Sequence, residues 1–264
     1  MTRRRWIADE FSGTRAALTG AHAAHLSRTL RARVGQQFEV ACGEQVRRAT
    51  VSSVQDERVE FTLGEEVTAR EAVPITLLLA VFKFDRMEWA IEKCTELNVT
   101  TIVPVIARRT EKHLALAADK RVERWRRIAR EAAEQSRRIA PPEIADPVKL
   151  KEALANFHDP AVMPREDSSL SRQICGHPRC DLRIVLAETA PEATLSEVLR
   201  AHDHVTSLVL AVGPEGGWTT DELQLFALSQ WLAASLGDTI LRAETAAIAA
   251  VAVARSELES ATSV

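Results

Sequence analysis

Residues Ile75 to Phe82 read Ile-Thr-Leu-Leu-Leu-Ala-Val-Phe, an almost unbroken apolar run. A strand with one face in water alternates apolar and polar side chains. This run does not alternate, so it predicts a strand covered on both faces, as in a parallel sheet between helices. The chain downstream fits that frame. Helical spacing over Arg86–Leu97 closes at Asn98, a residue that tolerates the left-handed cap. A second strand follows over Thr100–Ile106, where Pro104 predicts a strand end or an edge position. Arg121–Ile139 is an amphipathic helix stopped by Pro141-Pro142. Strands are expected over Asp181–Glu188, Thr206–Val212 and Trp231–Leu236, and helices over Thr194–His202 and Thr220–Leu228. The second of those helices opens with a capping box, Thr219-x-x-Glu222, and an Ala- and Val-rich element covers Glu244–Glu259. Alternating strands and helices predict an α/β domain with a parallel sheet and helices on both faces. Residues 164–181 carry Pro, Ser, Gly, Cys and charges and read as a long loop.

The chain before Val73 is of another kind. Gln37–Ala41, Arg48–Ser52 and Val59–Leu63 alternate with period two, and Gly35, Gly43 and Gly64 punctuate them as turns. With a short helix between Ala21 and Arg33, they predict a small, mostly β domain of antiparallel strands. The boundary is expected in the charged stretch Glu65–Glu71, giving domains of residues 1–71 and 72–264.

Charge is uneven. The formal net charge is −3, yet residues 1–50 hold nine Arg against four acids and residues 108–138 hold eleven Lys or Arg against five. Such local patches attract a polyphosphate backbone even on an acidic protein, although solvated helix faces look the same in sequence. No apolar stretch of 18 residues is present, and no apolar segment follows Arg3-Arg4-Arg5, so neither a membrane partner nor export is expected. Four scattered cysteines argue for a reducing cytoplasm. Cys175-Gly-His177-Pro-Arg-Cys180 places two thiols near an imidazole, but a fourth ligand and CxxC spacing are missing, so no metal site is expected.

Ligands of parallel α/β sheets bind at the carboxyl ends of the strands. Two segments stand there. Gly213-Pro214-Glu215-Gly216-Gly217 directly follows a strand, and its glycines either let backbone approach a ligand or simply serve the turn. Its spacing is neither GxGxxG nor that of a P-loop, which disfavours dehydrogenases and NTPases. Leu236-Gly237-Asp-Thr-Ile240-Leu241-Arg242-Ala-Glu244-Thr245-Ala246 leads from the last strand into the last helix. Glu244 or Thr245 could cap that helix, and Arg242 and Glu244 are also candidates for substrate contact. Lys83, at the end of the first buried strand, is a third candidate.

Together these two segments resemble the RsmE family of 16S ribosomal RNA uridine N3-methyltransferases, in the SPOUT superfamily. The similarity extends to His25-Leu-x-Arg28-x-Leu30-Arg31, Glu92-Lys-x-Thr-Glu-Leu-x-Val99, Arg108-Arg109-Thr110 and Glu131-Ala-Ala-Glu-Gln-Ser-Arg137-Arg138. Phe84 and Asn98 stand where the family carries glycine. The resemblance implies a trefoil-knotted domain preceded by a PUA-like β-barrel, a homodimer, and S-adenosylmethionine as cofactor. It implies that the cofactor is held by Leu186 and Glu188, by Gly213 to Gly217, by Leu236, Gly237, Ile240 and Leu241, and by Thr245 and Ala246. Catalysis would fall to Arg242, with Glu215 or Glu244 assisting proton transfer. Arg3, Arg4, Arg28, Arg31, Lys83, Arg108, Arg109, Arg137 and Arg138 would bind RNA. The partner would be 16S ribosomal RNA in the small subunit, not DNA. Two rivals are a non-catalytic RNA-binding assembly factor and a methyltransferase of transfer RNA.

Overall fold

The structure, a computed structural model, describes residues 5–43, 45–67, 72–136, 138–157, 182–188, 193–202 and 204–261. It divides into two compact units, residues 1–71 with 130–141, and residues 72–129 with 142–264.

The first unit is a six-stranded sheet with strand order β1-β4-β5-β6-β3-β2. Its strands are β1 (Arg5–Ile7), β2 (Glu10–Ser12), β3 (Arg15–Thr19), β4 (Gln37–Cys42), β5 (Gln45–Gln55) and β6 (Arg58–Val67). All pairings are antiparallel except β1 with β4, which is parallel. The helix expected over residues 21–33 is shorter: α1 (Gly20–Ala24) runs into a π-helical turn at His25–Thr29. Trp6, Leu18, Leu26, Phe38, Val51 and Phe61 form its core.

A polar cluster ties residues 130–141 into this unit. The Asp9 carboxylate accepts from Thr19 N–H at 2.8 Å and from Arg130 at 2.8 Å, and it faces His22 at 3.3 Å. Burial alone would raise the Asp9 pKa, but the bonds from His22 and Thr19 and the Arg130 charge outweigh it and hold it below its ordinary value. A depressed carboxylate stabilises the fold above its unfolded pKa and loses that contribution as pH falls through the folded one. Asp9→Asn is therefore expected to cost about 2 kcal/mol at pH 7, in the range for charged hydrogen bonds. The gap between mutant and wild type in thermal unfolding should shrink below pH 3.8. A gap unchanged between pH 7 and pH 3 would show that the Asp9 charge contributes nothing.

The second unit is a seven-stranded sheet, and every pairing in it is parallel. Its elements in chain order are β7 (Ile75–Ala80), α2 (Phe84–Glu96), β8 (Thr101–Ile106), α3 (Lys112–Ala117), α4 (Val122–Gln135, of which residues 130–135 count with the first unit), β9 (Glu143–Ile144), β10 (Val148–Lys149) and α5 (Leu150–Asn156). They continue with β11 (Leu182–Leu186), α6 (Leu195–Arg200), β12 (Leu208–Val212), α7 (Thr220–Leu228), β13 (Leu232–Ala234) and α8 (Ala243–Ala261). The strand order is β10-β8-β7-β12-β11-β13, with β9 also on β8. Period-two geometry sorts the apolar runs onto two cores. Ile75, Leu77, Leu79, Leu208, Leu210 and Val212 face α2, α4, α6 and α8, while Leu78, Ala80, Val209 and Ala211 face α5 and α7. Both α6 and α7 begin with complete capping boxes, Thr194 with Glu197 and Thr219 with Glu222.

Pro104 occupies neither a strand end nor an edge: it pairs with Leu79 in the middle of β8. Thr100 and Ile102 turn their carbonyls outward to Glu143 and Ala145, and Pro104, of the same parity, faces that side too. Strand β9 pairs only up to Ile102 and β10 only from Val105. The missing N–H therefore falls in the gap between them.

Asn98 has φ +65° at the end of α2, the left-handed position expected of it. Phe84, in place of the family's glycine, packs on Trp125 with centroids 6.0 Å apart and lies under the Arg121 guanidinium at 4.7 Å. Arg255 of α8 donates to the Val73 and Asn98 carbonyls at 2.8 and 2.7 Å, locking the last helix to the entry of β7 and the end of α2. Cys42 and Cys94 are free and buried, and burial pushes the Cys94 thiol up to about 12. Among the described residues no group of three or more His, Cys, Asp or Glu could hold a metal ion. Cys175, His177 and Cys180 lie outside the described residues. No described helix is long and apolar enough to cross a membrane.

Candidate active site

A cavity opens at the carboxyl ends of β11, β12 and β13. Its walls are three successive loops. Residues 186–188 run out from the last residue of β11, residues 212–218 from that of β12, and residues 234–241 from that of β13. Ala243 and Ala246, in the first turn of α8, close one side, and Leu223 of α7 and Arg109 complete it. The structure thus brings Leu186, Glu188, Gly213, Pro214, Glu215, Gly216, Gly217, Leu236, Gly237, Ile240, Leu241 and Ala246 to one place. Thr245 is not among the lining residues; it is exposed on α8.

Four cavity glycines have identifiable reasons. Gly217 has φ +68° and Gly237 φ +117°, conformations that L side chains rarely adopt. A Cβ on Gly213 would lie 3.3 Å from the Trp218 ring, and one on Gly216 would lie 3.2 Å from Arg109 Cδ. Gly213 and Gly216 therefore make room for the loop's own packing, so the turn reading accounts for them better than an open approach to a ligand.

The lining is acidic. Glu188, Glu215 and Asp238 supply three carboxylates against one guanidinium, Arg109, which donates to the carbonyls of Gly216 and Trp218. Leu186, Val212, Leu223 and Leu236 give the cavity an apolar side.

The expected catalytic residues separate. Arg242 precedes α8, where its carbonyl accepts from Ala246 N–H at 2.8 Å. Its side chain is exposed, and among the described residues the guanidinium makes no ion pair. Glu215 is exposed on the cavity wall. Glu244 is only 4% exposed and does not line the cavity. It does not cap α8, because the helix starts at Ala243 and Glu244 lies within the first turn, where an acid suits the helix dipole. Arg86 of α2 stands between the two carboxylates, 3.7 Å from Glu244 and 4.0 Å from Glu215. Sequence spacing carries no trace of that bridge.

The candidate RNA residues scatter. Lys83 is exposed ahead of α2, and Arg108 is exposed after β8. Arg28 is exposed and paired with Asp56 at 3.1 Å, and Arg31 is exposed with φ +51°. Arg138 is half-buried. Arg3, Arg4 and Arg137 lie outside the described residues. Arg109 lies in the cavity wall. Trp218 and Leu223 are lining residues that sequence reasoning missed, the first adjoining the glycine loop and the second carrying no signal of its own.

A family model described as an RNA methyltransferase domain matches residues 69–255. Ribosomal RNA small subunit methyltransferase E of Synechocystis is 32% identical over 244 residues, covering 92% of this chain and 73% of that protein. The Bacillus subtilis protein of the same name is 28% identical and covers 92% and 90%. Among solved structures, ribosomal RNA small subunit methyltransferase E from Neisseria gonorrhoeae, bound to S-adenosylmethionine, superposes with a TM-score of 0.76 at 28% identity over 96% of this chain and 97% of that one. A putative methyltransferase from Legionella pneumophila with the same cofactor bound gives 0.74 at 25% identity, covering 96% of each chain. The chain belongs to the RsmE family of small-subunit ribosomal RNA methyltransferases.

Proposed function

We propose that this protein transfers the methyl group of S-adenosylmethionine to N3 of a specific uridine in 16S ribosomal RNA of the small subunit. The observation that carries the reading is the cavity at the ends of β11, β12 and β13. Its chemistry fits the cofactor: three carboxylates suit a ligand bearing sulfonium and ammonium charges, and the leucine side suits an adenine ring. Leu186 and Glu188, Gly213 to Gly217, and Leu236 to Leu241 would hold it.

The bound cofactor supplies an electrophilic methyl group. The protein must do the rest. Uracil N3 is an imide nitrogen that carries a proton, and its lone pair becomes available only as that proton leaves. Arg242, exposed beside the cavity residue Leu241, would stabilise the negative charge that develops on the uracil. Of the two carboxylates, Glu215 is the better placed to accept the proton, because Glu244 is buried. The target base must be single-stranded or extruded from its helix. Arg28, Arg31, Lys83 and Arg108 are exposed cations that would grip phosphates, with salt-dependent affinity. Residues 1–71 would form the PUA-like RNA-binding domain and residues 72–264 the knotted catalytic one. Half-exposed Ala249 and Ala252 on α8 support close helix packing between two copies, hence a homodimer. Acting on ribosomal RNA, it would work in the cytoplasm.

The test is incubation with labelled S-adenosylmethionine and small subunits lacking the modification, followed by mass spectrometry of the nucleosides. Formation of 3-methyluridine is expected. Binding of the cofactor without transfer would move the target to another RNA. Absence of binding would leave a non-catalytic RNA-binding protein.

A further inference from the structure

Arg109 lies in an arginine-rich turn that sequence reasoning assigns to RNA, yet its guanidinium is turned onto the protein's own backbone. The same Nη1 donates to the Gly216 carbonyl and, at 3.4 Å, to the Trp218 carbonyl. Its aliphatic stem fills the space where Gly216 has no side chain: a Cβ there would meet Arg109 Cδ at 3.2 Å and Cβ at 3.4 Å. The preceding residue is fixed independently. Arg108 N–H donates at 2.8 Å to Oε1 of Glu222, which is only 3% exposed. The other oxygen of Glu222 accepts from Thr219 N–H at 2.8 Å and from its hydroxyl at 3.0 Å, closing the capping box of α7. One buried carboxylate thus holds both the turn after β8 and the helix that leaves the glycine loop, and Arg109 reaches from that turn to the loop itself.

We propose that Arg109 is a positioning residue for the methyl-donor loop, strapping Gly216–Trp218 to the turn after β8, and that it is not an RNA anchor. The inference rests on the cofactor reading above. A guanidinium that bonds carbonyls sets the orientation of the Gly216 and Trp218 peptides before any ligand arrives. Arg108 differs from it in kind. Both arginines are exposed, but Arg108 enters the strap only through its backbone N–H, whereas the Arg109 side chain itself bonds the loop.

The test is a pair of single variants, R109A and R108A, each titrated with S-adenosylmethionine by calorimetry and with a 16S RNA fragment over a range of salt. The wild type is titrated first, and its failure to bind the cofactor would overturn the functional reading on which this inference rests. If the wild type binds, R109A is expected to weaken cofactor binding about tenfold and to raise KM for the methyl donor with kcat little changed. Its RNA affinity and salt slope should stay at the wild-type values. R108A should do the reverse, keeping cofactor affinity and losing about one unit of salt slope. A second measurement uses Gly216→Ala, which should weaken the cofactor in the wild-type background and have no further effect in R109A, since the added methyl acts by displacing the Arg109 stem. Wild-type cofactor affinity in R109A, a flattened salt slope in R109A, or additive effects of G216A and R109A would each overturn the assignment.

Discussion

Arg242→Ala is expected to slow uridine methylation by roughly 10²-fold or more, the range for loss of a group that stabilises developing charge. Affinity for S-adenosylmethionine should barely change. The reasoning starts from position. Arg242 lies between Leu241, which lines the cavity, and Ala243, which opens α8, yet its side chain is exposed and makes no ion pair among the described residues. An exposed arginine with no internal partner contributes little to stability, so the variant should melt close to wild type. If Arg242 acts on the uracil only as N3 loses its proton, kcat and kcat/KM fall together. A variant with wild-type turnover would remove Arg242 from the chemistry.

Gly213→Val should weaken cofactor binding by roughly 10- to 100-fold. A Cβ alone would approach Cε2 and Nε1 of Trp218 to 3.3 Å, and valine adds two methyl groups beyond it. Trp218 cannot step aside, because it is 8% exposed and its ring packs on Phe226 with centroids 5.0 Å apart. Overpacking of this kind costs about 1–3 kcal/mol, and the strain falls on the loop that lines the cavity. Calorimetry with the cofactor and thermal unfolding should be run together. Folded protein with wild-type affinity would separate this loop from the cofactor site.

The legible parts of this chain were those whose physics is local. Strands β7 and β12 are buried on both faces, which forbids polar alternation and leaves continuous apolar runs in the sequence. The box opening α7 is visible because Thr219 and Glu222 are three residues apart, and the Gly213–Gly217 loop because it directly follows a buried strand. What remained hidden depends on distant partners. Strands β1 and β2 have three residues each, too few to show a period. Pro104 looked like an edge residue because the break between β9 and β10 that accommodates it lies about forty residues downstream. Arg109 looked like one more cation in a basic patch because the carbonyl it holds is 107 positions away. Glu244 was set beside substrate by its neighbours in sequence, whereas the first turn of α8 rotates it inward to Arg86.

The order in which this pocket is assembled has a consequence during synthesis. Its walls are drawn from Arg109, from three loops between residues 186 and 241, and from Ala243 and Ala246. Arg255 then locks α8 against Val73 and Asn98, carbonyls made more than 150 residues earlier. While the chain is growing, a cavity missing α8 lacks one wall and exposes the apolar faces that Ala247, Ala250, Val251 and Ala254 cover. The pocket is therefore complete only in a chain whose α8 has docked.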